Sequence, residues 1–156
     1  MSEAQQPAFS IEKIYVKDLS LEVPGAPQVF MQQEQPQLEV RLEHRSQRIN
    51  EALFEVVLVI TVTAKSGDKV LFLAEASQAG VFQIRNVSEA DLAPVLGMVC
   101  PNVLFPYARE TVSDMINRAG FPPVLLAPVN FEALYQQRQA AAAASQPGGP
   151  RIEIAH

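Results

Sequence analysis

The chain has 156 residues, of which 48% are hydrophobic and 19% charged, with a formal net charge of −5. That length favours one domain with a real core, and the acidic balance excludes the basic stripe that a nucleic-acid-binding surface needs. Sparse charge beside a full apolar share points to surface that other subunits or ligands cover.

Residues 1–8 are mostly polar and are expected to be a flexible N-terminus. They have neither the basic start nor the apolar run of a signal peptide. From Phe9 to Leu21 the pattern is broadly period two. Phe9, Ile11, Tyr15, Leu19 and Leu21 share one parity, and Glu12, Asp18, Ser20 and Glu22 the other, which predicts a half-buried strand. Ile14 and Val16 break the alternation and mark a bulge or a half-covered face.

Residues 23–36 hold three prolines and a glycine, so they form a long crossover rather than a tight hairpin. Strand one therefore need not lie beside strand two. The second strand, QLEVRLEHRSQR, sets Leu38, Val40 and Leu42 against Glu39, Arg41 and Glu43, giving one wet face. Residues 52–64 are dense in β-branched side chains and read as a central strand. The turn KSGD leads into a fourth strand, KVLFLAEASQAGVFQI. There Leu71, Leu73 and Glu75 oppose Val70, Phe72, Ala74 and Ala76.

The period then changes. Ser88 with Asp91 three residues on is a capping-box-like helix start. Pro94 is expected to kink or split that helix, with a second helical piece beginning near Asn102 or Val103. Leu104, Ala108, Val112, Met115 and Ala119 form its apolar stripe. Gly120 is a natural stop. The loop FPPVLLAPVNF is oily and proline-rich, and Asn130 can cap a last helix over FEALYQQRQAAAAA. The tail, 145–156, reads as disordered, leaving a single domain over 9–144. Strands followed by helices predict an α+β domain.

The chain carries one cysteine, Cys100, and two histidines, His44 and His156. That set cannot assemble a zinc site of usual spacing, and no phosphate loop or nucleophile elbow is present. Cys100 sits among apolar neighbours and reads as a buried structural thiol; His44 reads as an ordinary strand histidine. No enzyme activity, cofactor or metal is expected. No run approaches the roughly 18 apolar residues of a membrane span, so no membrane insertion is expected, and a reducing, cytoplasmic setting fits a lone cysteine.

The run CPNVLFPYARETVSDMINRAGFPP, followed by LAPVNFEALY, resembles the SecB protein-export chaperone family. So do IYVKDLSLEVPGAP and FEVVLVITVTA. The likeness covers roughly residues 9–136. It implies a four-stranded antiparallel sheet with a long crossover between strands one and two, packed on one long kinked helix and a C-terminal helix. It also implies eight-stranded sheets shared by subunits in a homotetramer, a dimer of dimers.

The activity implied is ATP-independent holding of unfolded preproteins, kept competent for translocation and delivered to the SecA motor. Such a client cannot be read by specific hydrogen bonds, but it can be held by oily side chains. The candidate client-binding residues are Phe30, Leu38, Val40, Leu42, Phe121, Leu125, Leu126, Leu134 and Tyr135. Asp18, Glu22, Leu73 and Glu75 match the family's acidic surface for the zinc-bearing C-terminal segment of SecA. Asp18 and Glu22 lie on one strand face about 13 Å apart. Leu104, Ala108, Val112 and Met115 are the expected subunit seam. An alternative is a SecB-like holdase serving another partner, such as a toxin–antitoxin system. A third reading, a small-ligand enzyme or binding protein using the apolar groove, lacks a convergent polar set.

Overall fold

The computed structural model describes residues 5–32 and 35–145. Of the expected flexible N-terminus, residues 1–4 lie outside these described residues, as does the tail from 146 onward. Four strands, β1 (Ala8–Glu22), β2 (Gln37–Arg48), β3 (Leu53–Ser66) and β4 (Lys69–Arg85), precede the helices α1 (Glu89–Pro94), α2 (Cys100–Arg118) and α3 (Phe131–Ser145). The sheet is antiparallel in the order β1-β4-β3-β2. The crossover thus carries the chain from one sheet edge to the other, as its proline content predicts. Within it, a short 3-10 turn over Gln28–Met31 buries Val29.

The central strands owe their place to β-branched and apolar side chains on both faces. Val56, Ile60 and Val62 of β3 are fully buried on the helix side, and Val57 is 1% exposed on the other. A strand covered on both faces reads as a continuous apolar run rather than an alternation. α2 lies across β4 and β3, and its Leu104, Ala108, Val112 and Ile116 are all 0% exposed. Burying each of the larger three contributes roughly 1.5–3 kcal/mol before entropy is charged.

β1 differs from its expected pattern in an informative way. Register shifts fall between Ile11 and Lys13 and again between Val16 and Asp18. Each extra residue flips the parity of the strand positions after it. Phe9, Ile11, Ile14, Val16, Leu19 and Leu21 therefore all stand opposite helix-side residues of β4. Tyr15, grouped by simple alternation with the core-facing set, is turned to the outer face instead. There its hydroxyl donates to Glu55. At the second shift the buried Gln78 takes up slack: its Nε2 donates to the Tyr15 carbonyl at 3.2 Å. Its Oε1 accepts from Thr111 of α2 at 3.1 Å.

The helical start follows its sequence signal. Ser88 Oγ accepts from Asp91 N at 3.2 Å and donates to the Asp91 carboxylate at 2.9 Å. Pro94 ends α1, and a π-helical turn, Val95–Val99, joins it to α2. α2 thus begins at Cys100, earlier than the expected Asn102 or Val103. Pro94 and Pro101 lack the N–H groups that would close ordinary turns on either side, and the widened turn between them keeps the rod continuous. Asn130 caps α3 through Ala133 N at 3.0 Å.

Candidate functional site

The loop after α2 opens one side of the molecule. Gly120, at φ +93°, turns the chain out of the helix, a conformation that favours glycine. A Cβ there would also stand 2.9 Å from the Phe30 ring. Phe30 in turn lies 5.3 Å from Phe121, which lies 4.9 Å from Phe72 of β4, centroid to centroid. This three-ring ladder ties the crossover, the loop and the sheet together; such pairs add about 0.5–1.5 kcal/mol beyond burial.

Beside the ladder is a cleft of about 660 Å³. Phe30, Leu38, Phe121 and Leu125 line it together with Pro122, Pro123, Val124 and Phe72, while Gln32 and Gln35 are its polar lining side chains. Its lining exposes much oil: Leu125 is 85% exposed, Phe30 47% and Leu38 46%. Of the candidate client residues, Phe30, Leu38, Phe121 and Leu125 are thus brought into one cleft. Leu126 is placed otherwise than expected. At 9% exposure it belongs to the core, because consecutive residues of an extended loop point to opposite sides. Phe72, Val29 and Leu71 were missed as lining residues. The alternation of β4, which groups Phe72 with the core-facing side chains, was the available signal for the first.

Leu42, Leu134 and Tyr135 gather at a second place, with His44, Leu58, Gly97, Phe131 and Arg138 around a void of about 10 Å³. α3 fills this end of the face itself. Val40, 41% exposed, lies between the two on β2. Gly97 in the π turn allows the approach of α3, since a Cβ there would meet the Tyr135 ring at 2.7 Å. Burial, and then the neighbouring Arg138 charge, hold the His44 imidazole below its ordinary pKa.

On the opposite face of the sheet, the register puts Glu22 opposite Leu73, Ser20 opposite Glu75 and Asp18 opposite Ser77. Asp18, Glu22, Leu73 and Glu75 therefore form one contiguous patch across β1 and β4. Thr61 donates to Glu75 at 2.9 Å and orients that carboxylate. Farther along the same face Glu55 accepts from Lys17 at 2.7 Å and from Tyr15. Those hydrogen bonds, Lys17 first, hold its pKa below the usual carboxylate range. Burial and the Glu55 contact push the Tyr15 phenol up to about 12.

Leu104, Ala108, Val112 and Met115, expected at a subunit seam, pack instead on the chain's own sheet, at 0–7% exposure. A side chain already out of water within one chain has no area left to bury against another. The uncovered apolar positions lie elsewhere: Tyr107 on α2 is 50% exposed, and on β1 Ile11 is 48%, Val16 45% and Leu19 50%. α2 packs mainly on β4 and β3, and of the β1 row on the helix side Ile14 meets the core while Ile11, Val16 and Leu19 stay exposed.

Catalytic parts are scarce. Burial pushes the Cys100 thiol up to about 12, so its nucleophilic thiolate is suppressed. Among the described residues no group of three His, Cys, Asp or Glu side chains could hold a metal ion. No helix among them is long and apolar enough to cross a membrane.

The model of the family described as "Preprotein translocase subunit SecB" matches residues 2–142. A "Protein-export protein SecB" of Chromobacterium violaceum is 64% identical over 142 residues, 90% of this chain and 95% of that protein. The protein of the same name from Nitrosospira multiformis is 61% identical over 137 residues, 88% of this chain and 86% of that one. Among solved structures, a SecB-like chaperone of Mycobacterium tuberculosis, in complex with a peptide from an antitoxin, superposes with a TM-score of 0.65. It covers 78% of this chain and 90% of that one at 19% identity, a likeness of fold.

Proposed function

The chain belongs to the SecB family and is a chaperone of protein export, and on that premise we propose that it holds unfolded preproteins in the cytoplasm without nucleotide and delivers them to the SecA motor. The observation that carries the holding activity is the exposed apolar cleft between the crossover and the loop after α2. Its lining offers rings and aliphatic side chains with two glutamines, a surface suited to any extended apolar segment and to no particular small molecule. Burying one client leucine or phenylalanine side chain there contributes about 2–3 kcal/mol at roughly 25 cal/mol per Å². Several clefts in one assembly would turn such modest contacts into useful avidity.

Delivery rests on the contiguous Asp18, Glu22, Leu73 and Glu75 patch, which lies on the sheet face opposite the cleft and so leaves a client in place. Assembly as a homotetramer, a dimer of dimers, is supported by β1. It is a 15-residue edge strand with an uncovered apolar row, and unprotected edges of that kind invite pairing. Its pairing with a second β1 would give the shared eight-stranded sheet. The curated relatives are export proteins, and no observation favours a toxin–antitoxin role.

The test is to dilute a denatured, slow-folding preprotein into buffer containing this protein and no nucleotide, and to follow refolding. Arrest at stoichiometric amounts, relieved by a competing unfolded polypeptide, is expected. Refolding at its unassisted rate would overturn the holding activity.

A further inference from the structure

Lys17 is the extra residue at the second register shift of β1: Val16 stands opposite Gln78 and Asp18 opposite Ser77, with nothing paired to the lysine between them. A residue inserted at a bulge can aim its side chain out of the regular alternation. Lys17 and Asp18 accordingly line the same open depression of the outer sheet face, of about 590 Å³, with Glu75 of β4 and Arg41, Glu43 and Arg45 of β2. The lysine ammonium thus has two carboxylates to choose between, Asp18 beside it in the chain and Glu55 on β3.

It pairs with Glu55. Lys17 Nζ donates to Glu55 Oε1 at 2.7 Å, and the Tyr15 hydroxyl donates to Oε2. Both oxygens are thus engaged from β1, although β4 lies between the two strands. The Glu55 side chain is 11% exposed, and a partly buried pair is screened less than one in open water. Arg45 also favours the ionised form of Glu55. Glu43 stands two residues from Arg45 on the same strand face, so that arginine has a second carboxylate near it. Asp18, by contrast, is exposed and makes no ion pair among the described residues.

Asp18, Glu22 and Glu75 make a surface that a partner segment of opposite charge would meet. A lysine folded back on Asp18 would occupy one of its three carboxylates. We propose that Glu55, oriented by Tyr15, is a positioning residue for that surface: it draws Lys17 away and so leaves the Asp18 carboxylate free for a cationic side chain of the partner. This rests on the reading of the acidic patch as the SecA-docking surface. Glu55 need not touch the partner; it acts through the lysine that it holds.

The experiment titrates purified SecA at low salt against full-length forms of this protein. Glu55→Gln keeps the shape of the side chain and removes its charge. The proposal expects about fivefold weaker SecA binding there, the order that one contact ion pair in water supplies, fading by about 0.5 M salt. Adding Lys17→Met to Glu55→Gln is expected to restore binding to near the wild-type level. Most of the loss is expected to disappear when Asp18 is already Asn, since the two changes then act on one shared partner; a mere change in the overall field would cost the same in either background. Wild-type binding by Glu55→Gln, failure of Lys17→Met to restore it, or an equal loss in the Asp18→Asn background would each overturn the proposal. The docking reading is tested separately by Asp18→Lys with Glu22→Lys and Glu75→Lys, which should abolish binding; undiminished binding there would overturn both. If Glu55→Gln lowers the Tm, Lys17→Met alone replaces it and is expected to bind SecA at least as tightly as the wild type. Weaker binding by that form would show Lys17 serving the partner directly and overturn the proposal.

Discussion

Arg138 of α3 donates a guanidinium N–H to Nδ1 of His44 on β2, and a second N–H reaches the Leu42 carbonyl at 3.4 Å. An arginine has no lone pair to offer, so the imidazole nitrogen must be the acceptor and the ring must be neutral. The contact pins the second turn of α3 to an edge strand, over the part of the sheet face that continues toward the apolar cleft.

That geometry sets a pH dependence. The folded-state pKa of His44 lies below its ordinary 6.5, through burial first and Arg138 second. Between the folded and the ordinary value the unfolded chain binds more protons. The contribution is therefore complete above about pH 6.5 and is lost as pH falls through the folded value. Amide exchange in α3 should quicken over that window while β3 and β4 stay protected. In Arg138→Ala the His44 titration midpoint should rise only part of the way to 6.5, because burial remains; a full return to 6.5 would show that the ring is not buried in solution.

Gly97→Ala should undock the same helix by a different route. Its Cβ would sit 2.7 Å from the Tyr135 ring, an overlap that typically costs about 1–3 kcal/mol. α3 exchange should rise, and the double variant with Tyr135→Ala should destabilise by less than the sum of the two single changes. Strict additivity of the two would mean that the residues do not touch.

Leu125 and Leu126 are neighbours with opposite fates, at 85% and 9% exposure. Leu125→Ser should leave thermal stability within about 0.5 kcal/mol and weaken client binding several-fold. Leu126→Ala should destabilise by about 2–4 kcal/mol. Denaturant melts and a client-binding titration on the two variants separate these roles, and equal loss of stability in both would contradict the placement of Leu125 at the surface.

The row on β1 is expected to act between subunits. Ile11→Lys with Leu19→Lys should lower the assembled mass measured by light scattering while far-UV circular dichroism stays that of the wild type. Ala108→Leu, by contrast, should destabilise each chain by about 1–3 kcal/mol through overpacking against its own sheet. An unchanged mass for the β1 variant would remove β1 from the interface.

The sequence by itself determined the four strands, the long crossover, the Ser88 and Asn130 caps, the stop at Gly120 and the apolar character of the loop after α2. These are local signals: β-branched density, side-chain oxygens beside orphan amides, and a glycine where φ must be positive. It also carried long enough runs for the family to be recognised. Only the tertiary structure decided which face each side chain takes. Tyr15 leaves the core-facing set because two bulges reset a period-two count that alternation alone assumes to be unbroken. The Leu104 stripe is apolar whether it meets a sheet or a subunit, so periodicity cannot say which; the packing of α2 on β4 and β3 does. Likewise nothing in the local sequence of His44 announces Arg138, which lies 94 residues away. Contacts of that range depend on where the whole chain brings two surfaces together, and on what is left uncovered once it has done so.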